Sequence, residues 1–168
     1  MPDLGPCELI DGRIVRMTPT SPEHGRVEVN AAAVLKAWAQ GQGAGHVLGG
    51  EVGVYTRQNP DRVRGADVVF ISHERYARRD PQRGYLDVAP ELIVEVLSSD
   101  GRVLDLTEKL REYFAIGVTL VWVLDPIGRR VYAYRAPTDL REYADTETLS
   151  AADVLPGFEV VVARLFDD

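Results

Sequence analysis

The stretch Pro90–Asp100, "PELIVEVLSSD", constrains the fold of this chain more than any other segment. Apart from Glu95 at its centre, residues 92–97 are strand or core formers, which is typical of a strand buried on both faces. An ionised carboxylate is strongly unfavourable in such a place unless a cation, a metal or a proton compensates it. The alternative is an edge strand on which Glu95 faces water or makes a simple salt bridge, but Ile93 and Leu97 would then be exposed beside it.

Length and composition restrict the class of protein. With 168 residues, the chain is long enough for one domain over 1–168. The single cysteine, Cys7, excludes an internal disulfide and a cysteine-rich metal site. No apolar run approaches the roughly 20 residues that span a bilayer, and the N-terminus lacks a signal segment, so we expect a cytoplasmic protein without a membrane partner. The net charge of -7 argues against nucleic-acid binding by bulk charge, although a local basic rim stays compatible with it.

Turn, cap and periodicity signals predict the order of the elements. "CELIDGRIVRM" is typical of a hairpin around Asp11-Gly12. Ser21 as cap and Pro22 as first residue begin a helix that the glycines from Gly41 onward end. The segments that follow predict a strand "HVLGGEVGVYT", a strand "GADVVFIS", a polar loop "HERYARRDPQRGY", the strand 91–97, a helix "DLTEKLREYFAIG", a strand "TLVWVLDP" and further short strands. The predicted fold is therefore mixed α/β, with a helix-three strands-helix-strand core and β-hairpins at both ends.

Lys109 occupies an unexpected position on the second predicted helix. On a helical wheel it falls inside the apolar arc, among Leu106, Leu110, Tyr113, Phe114 and Ile116, while Asp105, Glu108, Arg111 and Glu112 form the outer face. A helix that follows a strand usually packs back on that sheet, so we expect Lys109 to point at the end of the strand that carries Glu95. The alternative is a lysine whose stem is buried and whose ammonium group reaches water.

Asp67 supplies a second carboxylate, at the predicted start of the strand "GADVVFIS". An aspartate at this position commonly serves as a turn or cap residue. Together, two carboxylates on adjacent strands and a nearby lysine can hold a hard divalent cation and orient a water for attack on a phosphodiester.

Several pieces in this order resemble the Uma-type putative restriction endonuclease family, a bacterial family within the PD-(D/E)xK, restriction endonuclease-like superfamily. The matching pieces are "ELIDGRIVRMTP" followed by His24, "RGADVVFIS", "PELIVEVLSS", "KLREYFAIGV", "VWVLDP" and "LPGFEVVV". The resemblance covers nearly the full length and implies a restriction endonuclease-like core, with Asp67 and Glu95 as ligands of one or two Mg²⁺ or Mn²⁺ ions. Leu97 stands where the superfamily has its lysine, and the family's lysine on the next helix matches Lys109.

Further candidate residues surround this set. His24 could contact a phosphate or a water, although a capping or core histidine would look the same. Glu8 matches a family glutamate, although a charge pair within the hairpin would explain it. A basic segment between the two acidic strands could follow a phosphate backbone, or be a solvated loop; its members are Arg75, Arg78, Arg79 and Arg83.

The first functional hypothesis is a metal-dependent endonuclease with DNA as the expected substrate. The alternative is a catalytically inactive nuclease-fold protein that binds nucleic acid or a partner protein. A third reading, a metal-dependent phosphoesterase acting on a smaller molecule, would require a closed pocket. Symmetric cutting of two strands favours two-fold assembly, so a homodimer is a further hypothesis.

Overall fold

A computed structural model describes residues 5–98 and 103–168 of the chain. The helices are α1 (Pro22–Gln42), α2 (His73–Ala77) and α3 (Val103–Ile116), with a short 3₁₀ helix at Val162–Leu165. The strands are β1 (Cys7–Ile10), β2 (Arg13–Arg16), β3 (Gly45–Arg57), β4 (Arg62–Ser72), β5 (Leu92–Val96), β6 (Leu120–Asp125), β7 (Arg130–Ala136), β8 (Asp139–Tyr143), β9 (Thr148–Ser150) and β10 (Glu159–Val161). The predicted core order of helix, three strands, helix and strand is confirmed by α1, β3, β4, β5, α3 and β6.

The main sheet has the strand order β2-β1-β4-β5-β6-β7-β8, and β3 pairs with β4 outside this path. β5 and β6 are parallel, whereas the other pairs of this sheet are antiparallel. β9 and β10 form a separate two-stranded sheet. The long helix α3 connects the parallel pair, as a crossover between parallel strands requires.

Strand β4 has neighbours on both edges, and two strands, β1 and β5, share its second edge. β3 pairs with β4 along one edge, from Arg62 to Ser72. On the other edge Val63 pairs with Leu9 of β1, while Val68 pairs with Val94 of β5. The middle of β4 therefore lies where β1 and β5 separate, and a gap opens between these two strands.

The sheet is buried because a helix covers each face. The core on the α1 side includes Val68, Phe70, Leu92, Val94 and Trp122. The core on the α3 side includes Val69, Ile71, Ile93, Val121 and Val123. Successive strand residues point to opposite faces, so these two sets alternate along β4, β5 and β6. This arrangement confirms the prediction that the strand carrying Glu95 is buried on both faces.

The ends of α1 follow the sequence signals. The side chain of Ser21 accepts the His24 N–H at 3.2 Å, and Pro22 occupies the first turn. The helix ends at Gly43, whose backbone is left-handed, with φ of 59°. The buried face of α1 consists of His24, Val27, Ala31, Leu35 and Ala39.

Two predictions about the region of β4 are wrong. Asp67 lies inside β4 instead of at its start, because pairing with β3 extends the strand back to Arg62. The segment predicted as a polar loop begins with α2, because the side chain of Ser72 caps this helix by accepting the Arg75 N–H at 3.2 Å. Within the described residues, none of the helices combines the length and apolar character needed to cross a membrane.

Candidate active site

Asp67 is buried at the point where the β4–β5 ladder ends. The last residue pair of that ladder is Val68–Val94. Beyond it, the Val96 N–H donates to Asp67 Oδ2 at 2.6 Å, so the carboxylate takes the place of a ladder partner. His24 Nε2 lies 3.5 Å from the same oxygen. Hydrogen bonding to Asp67 raises the pKa of His24 despite the opposing effect of burial.

Glu95 is buried and makes two contacts with α3. The Tyr113 hydroxyl donates to Glu95 Oε1 at 2.7 Å, and Lys109 Nζ lies 3.3 Å from Oε2. The predicted placement of Lys109 beside Glu95 is therefore confirmed, whereas the edge strand with a solvent-facing Glu95 is wrong. Burial raises the pKa of Glu95 to about 7; the charge of Asp67 adds to this rise and that of Lys109 opposes it.

The ammonium group of Lys109 makes its contacts within the protein and does not extend into water. Besides Glu95, Nζ contacts Glu8 Oε1 at 3.2 Å and donates to the Gly65 carbonyl at 3.1 Å. Burial lowers the pKa of Lys109, but the charges of Glu95 and Glu8 outweigh burial and the net shift is upward. Lys109 is therefore a fixed cation at neutral pH, held by the first hairpin and by two neighbouring strands.

Glu8 joins β1 to the middle of β4. Its Oε1 accepts the Gly65 N–H at 3.0 Å, and its Oε2 pairs with Arg64 at 3.0 Å. Arg64 is only 2% exposed and also makes two hydrogen bonds to Glu112, both at 2.9 Å. Glu112 was expected on the outer face of its helix; this was wrong, because the guanidinium of Arg64 draws it against β4. The ion-pair cluster of Glu8, Arg64 and Glu112 therefore anchors both the β1–β2 hairpin and α3 on β4.

Replacement of Arg64 by methionine tests this anchoring. We expect the variant to lose about 3 kcal/mol of unfolding free energy, because Glu8 and Glu112 each lose one cationic partner, although Lys109 still pairs with Glu8 and Arg62 with Glu112. Urea denaturation measures the change, with Arg78→Met, at an exposed residue directly after α2, as the control. A loss no larger than that of the control would contradict the anchoring role.

A second group of polar side chains lies on the α1 side of Asp67. His24, Glu28 and Asp67 each offer a ligand atom, all within 4.8 Å of one another. His24 Nδ1 lies 3.9 Å from Glu28 Oε2, too far for a hydrogen bond, and finds no hydrogen-bond partner among the described residues. Burial and the charge of Asp67 raise the pKa of Glu28.

Glu51 adds a further carboxylate beside Asp67. Its Oε2 is buried without a hydrogen-bond partner in the described parts of the chain. Burial, followed by the charges of Asp67 and Glu95, raises the pKa of Glu51 to about 7. The group His24, Glu28 and Asp67, together with the unpartnered oxygen of Glu51, forms a donor set that fits a hard divalent cation.

The four arginines predicted to contact nucleic acid make other contacts in the structure. Arg75 NH1 donates to the carbonyls of Ala89 and Pro90, at 3.0 and 3.1 Å, and Arg75 pairs with Glu91 at 3.1 Å. These partners precede β5, so Arg75 lies at the opposite end of that strand from Glu95. The other members make local contacts: Arg78 with Glu74, Arg79 with the Tyr76 ring, and Arg83 with Asp80 and Asp87. Their contact with nucleic acid stays a prediction.

Sequence reasoning missed four residues of this region, namely Glu28, Glu51, Arg64 and Tyr113. Two of them had a usable signal: Glu28 and Tyr113 each follow a candidate residue, His24 and Lys109, by four positions on a helix, which places them on the same face. The other two depend on backbone geometry and long-range packing.

The mixed sheet between α1 and α3, with acidic side chains at the gap in its centre, defines a restriction endonuclease-like fold. A crystal structure described as a "putative nuclease belonging to DUF820" from Anabaena variabilis ATCC 29413 has this fold, with a TM-score of 0.79, 17% sequence identity and coverage of 95% of this chain and 89% of that chain. The chain belongs to the Uma2 family, described as "Putative restriction endonuclease", whose sequence model matches residues 1–163. No curated protein matches the chain.

Proposed function

We propose that this protein is a divalent-metal-dependent endonuclease that hydrolyses phosphodiester bonds, with DNA as its substrate. One observation carries the proposal: the carboxylates of Asp67 and Glu95 come from adjacent strands at the same gap, and the ammonium group of Lys109 lies 3.3 Å from Glu95. Two carboxylates can hold a hard divalent cation for phosphoryl transfer, and a lysine beside them adds a positive charge. The descriptions of the family and of the similar structure support a nuclease.

Asp67 and Glu95 would hold Mg²⁺ or Mn²⁺ through carboxylate oxygens. A divalent cation bound there lowers the pKa of a bound water and stabilises negative charge on the phosphate. Lys109 stays protonated, and its positive charge beside Glu95 would stabilise the negative charge that develops during attack. Tyr113 fixes one oxygen of Glu95, and Glu8 holds Lys109 in place, so these two residues position the groups that react.

Contact with nucleic acid and assembly into a dimer are further parts of the proposal. Because the net charge is -7, phosphate contacts must come from local basic groups. Arg78, whose side chain is 62% exposed, is the proposed contact from the arginine group. A homodimer would place two such sites on the two strands of a duplex, and analytical ultracentrifugation with and without duplex DNA would test it.

Cleavage assays test the proposal directly. Plasmid DNA, linear duplex, single-stranded DNA and RNA are incubated with the protein in Mg²⁺, in Mn²⁺ and in EDTA. We expect cleavage of DNA only in the presence of a cation, and no cleavage by Asp67→Asn, because the amide cannot supply the anionic ligand. Asp139→Asn, an exposed substitution on β8, is the matched control and should cleave as the wild type does.

Two outcomes would contradict the proposal. Equal cleavage by Asp67→Asn and wild type would assign the activity to a contaminant or to another site. Cation binding without cleavage of any of these substrates would favour the alternative of a nuclease-fold protein that binds nucleic acid or a partner protein, which a gel-shift experiment then examines.

A further inference from the structure

The backbone of β3 is irregular directly opposite Asp67. Gly49 pairs with Val68 of β4, and the next pair is Val52–Ala66, so two residues of β3 stand opposite the single residue Asp67. These two residues, Gly50 and Glu51, form a β-bulge and both have positive φ, 85° and 60°. Glycine adopts this conformation freely, whereas a glutamate is strained in it. The bulge re-aims the side chain of Glu51 relative to a regular strand.

The re-aimed carboxylate lies against Gly65. A Cβ atom placed on Gly65 would come within 2.6 Å of Glu51 Oε2, so the absence of a side chain at this position makes room for the carboxylate. The N–H of Gly65 donates to Glu8, and its carbonyl accepts from Lys109. The carboxylate of Glu51 therefore enters the gap that holds the candidate active site.

The position of Glu51 is unfavourable in two ways. Its backbone is strained by the positive φ, and its Oε2 is buried without a hydrogen-bond partner in the described residues. A residue retained to stabilise the fold would be expected to make a salt bridge or a hydrogen bond there. Strain and unmet polar atoms of this kind are typical of functional sites, where a bound ligand compensates them.

We propose that Glu51 is a further carboxylate ligand of the divalent cation site. β3 and β5 lie on opposite edges of β4, so Glu51 and Glu95 would approach the cation from the two sides of Asp67. The inference rests on the metal site of the proposed function, but it requires no cleavage. The Nδ1 of His24, a side chain only 4% exposed that lies beside Asp67, also has no hydrogen-bond partner in the described residues.

Calorimetric titration with Mn²⁺ and thermal unfolding without metal test this role. Glu51→Gln removes the charge and keeps the shape; we expect Mn²⁺ binding to weaken by about tenfold or more, as loss of a supporting ligand does. In the absence of metal, the same variant should melt at a higher temperature than the wild type, because repulsion with Asp67 is gone. Glu74→Gln, on the exposed face of α2, removes one negative charge at a distance and should change neither quantity.

The outcomes separate this inference from the proposed function. Wild-type affinity and an unchanged melting temperature in Glu51→Gln would overturn the role of Glu51 and leave the metal-dependent nuclease intact. Failure of the wild-type protein to bind Mn²⁺ would overturn both. Tight binding that Glu51→Gln weakens, in a protein that cleaves nothing, would support the role of Glu51 and overturn only the nuclease activity.

Discussion

Replacement of Lys109 by methionine is expected to lower the free energy of unfolding by about 3–5 kcal/mol, because Glu95 loses its buried cationic partner and Glu8 keeps only Arg64. Cleavage should fall by about 10²–10³-fold or more, as it does when one group that stabilises the developing charge is removed. Mn²⁺ binding should persist, because the carboxylate ligands remain. Urea denaturation, calorimetry and a cleavage assay measure the three quantities, with Lys36→Met on the exposed side of α1 as the control.

A second variant separates folding from chemistry. In Lys109→Met/Glu95→Gln, the amide at position 95 needs no cation and can still accept from Tyr113, so we expect part of the lost stability to return. Cleavage should stay absent, since the ammonium group and one metal ligand are both missing. Recovery of cleavage along with stability would show that Lys109 serves only to hold the fold.

The metal-free protein is expected to lose stability as the pH rises from about 5 to about 8. The pKa values of Glu95 and Glu51, each near 4.5 in the unfolded chain, are raised to about 7 in the folded protein. The folded state therefore retains protons that the unfolded state has lost, and the unfolding free energy falls with pH across this interval. The raised pKa of His24 acts in the same direction, because its contribution is complete below its unfolded pKa and is lost as the pH rises through the folded value.

Divalent cations should reverse this trend. Mn²⁺ or Mg²⁺ replaces the bound protons, so we expect little change in melting temperature near pH 5.5 and a clear rise near pH 8. Thermal unfolding at both pH values, with and without metal, measures the difference, and Asp67→Asn should show no metal-dependent rise. A metal-free protein that becomes more stable across this pH range would contradict the buried acidic site.

Much of the fold was predictable because its signals are local. The Asp11-Gly12 turn, the Ser21 cap and the left-handed glycine after α1 each act within a few residues of chain. The start of β4 was not predictable from local signals, because the strand begins at Arg62 only through its pairing with β3. The short helix α2 was missed because the polar, arginine-rich segment that it begins suggests a loop, whereas the cap from Ser72 stabilises a helix. The assignment of one domain to the whole chain stays a prediction.

The residues of the candidate site also divide into those that the sequence reveals and those that only the fold brings together. Glu95 and Lys109 stood out because a charged residue in an apolar pattern is visible in the sequence itself. Arg64 did not, because its burial arises only when β1 and α3 both pack against β4. Glu51 did not, because its direction depends on a bulge that no periodicity signals. The catalytic and metal-binding roles of these residues stay predictions for the experiments above.

The contact between Glu8 and Lys109 also bears on how the protein is made. It joins the first hairpin to the third helix, so it requires two parts of the chain that are far apart in sequence to meet, at the entropic cost of closing a long loop. On the ribosome, Asp67 and Glu95 are synthesised before Lys109, so a nascent chain carries both acidic residues but lacks their lysine. An incomplete chain without α3 therefore lacks the lysine of the candidate site, and the site is assembled only after α3 has been synthesised and has packed against the sheet.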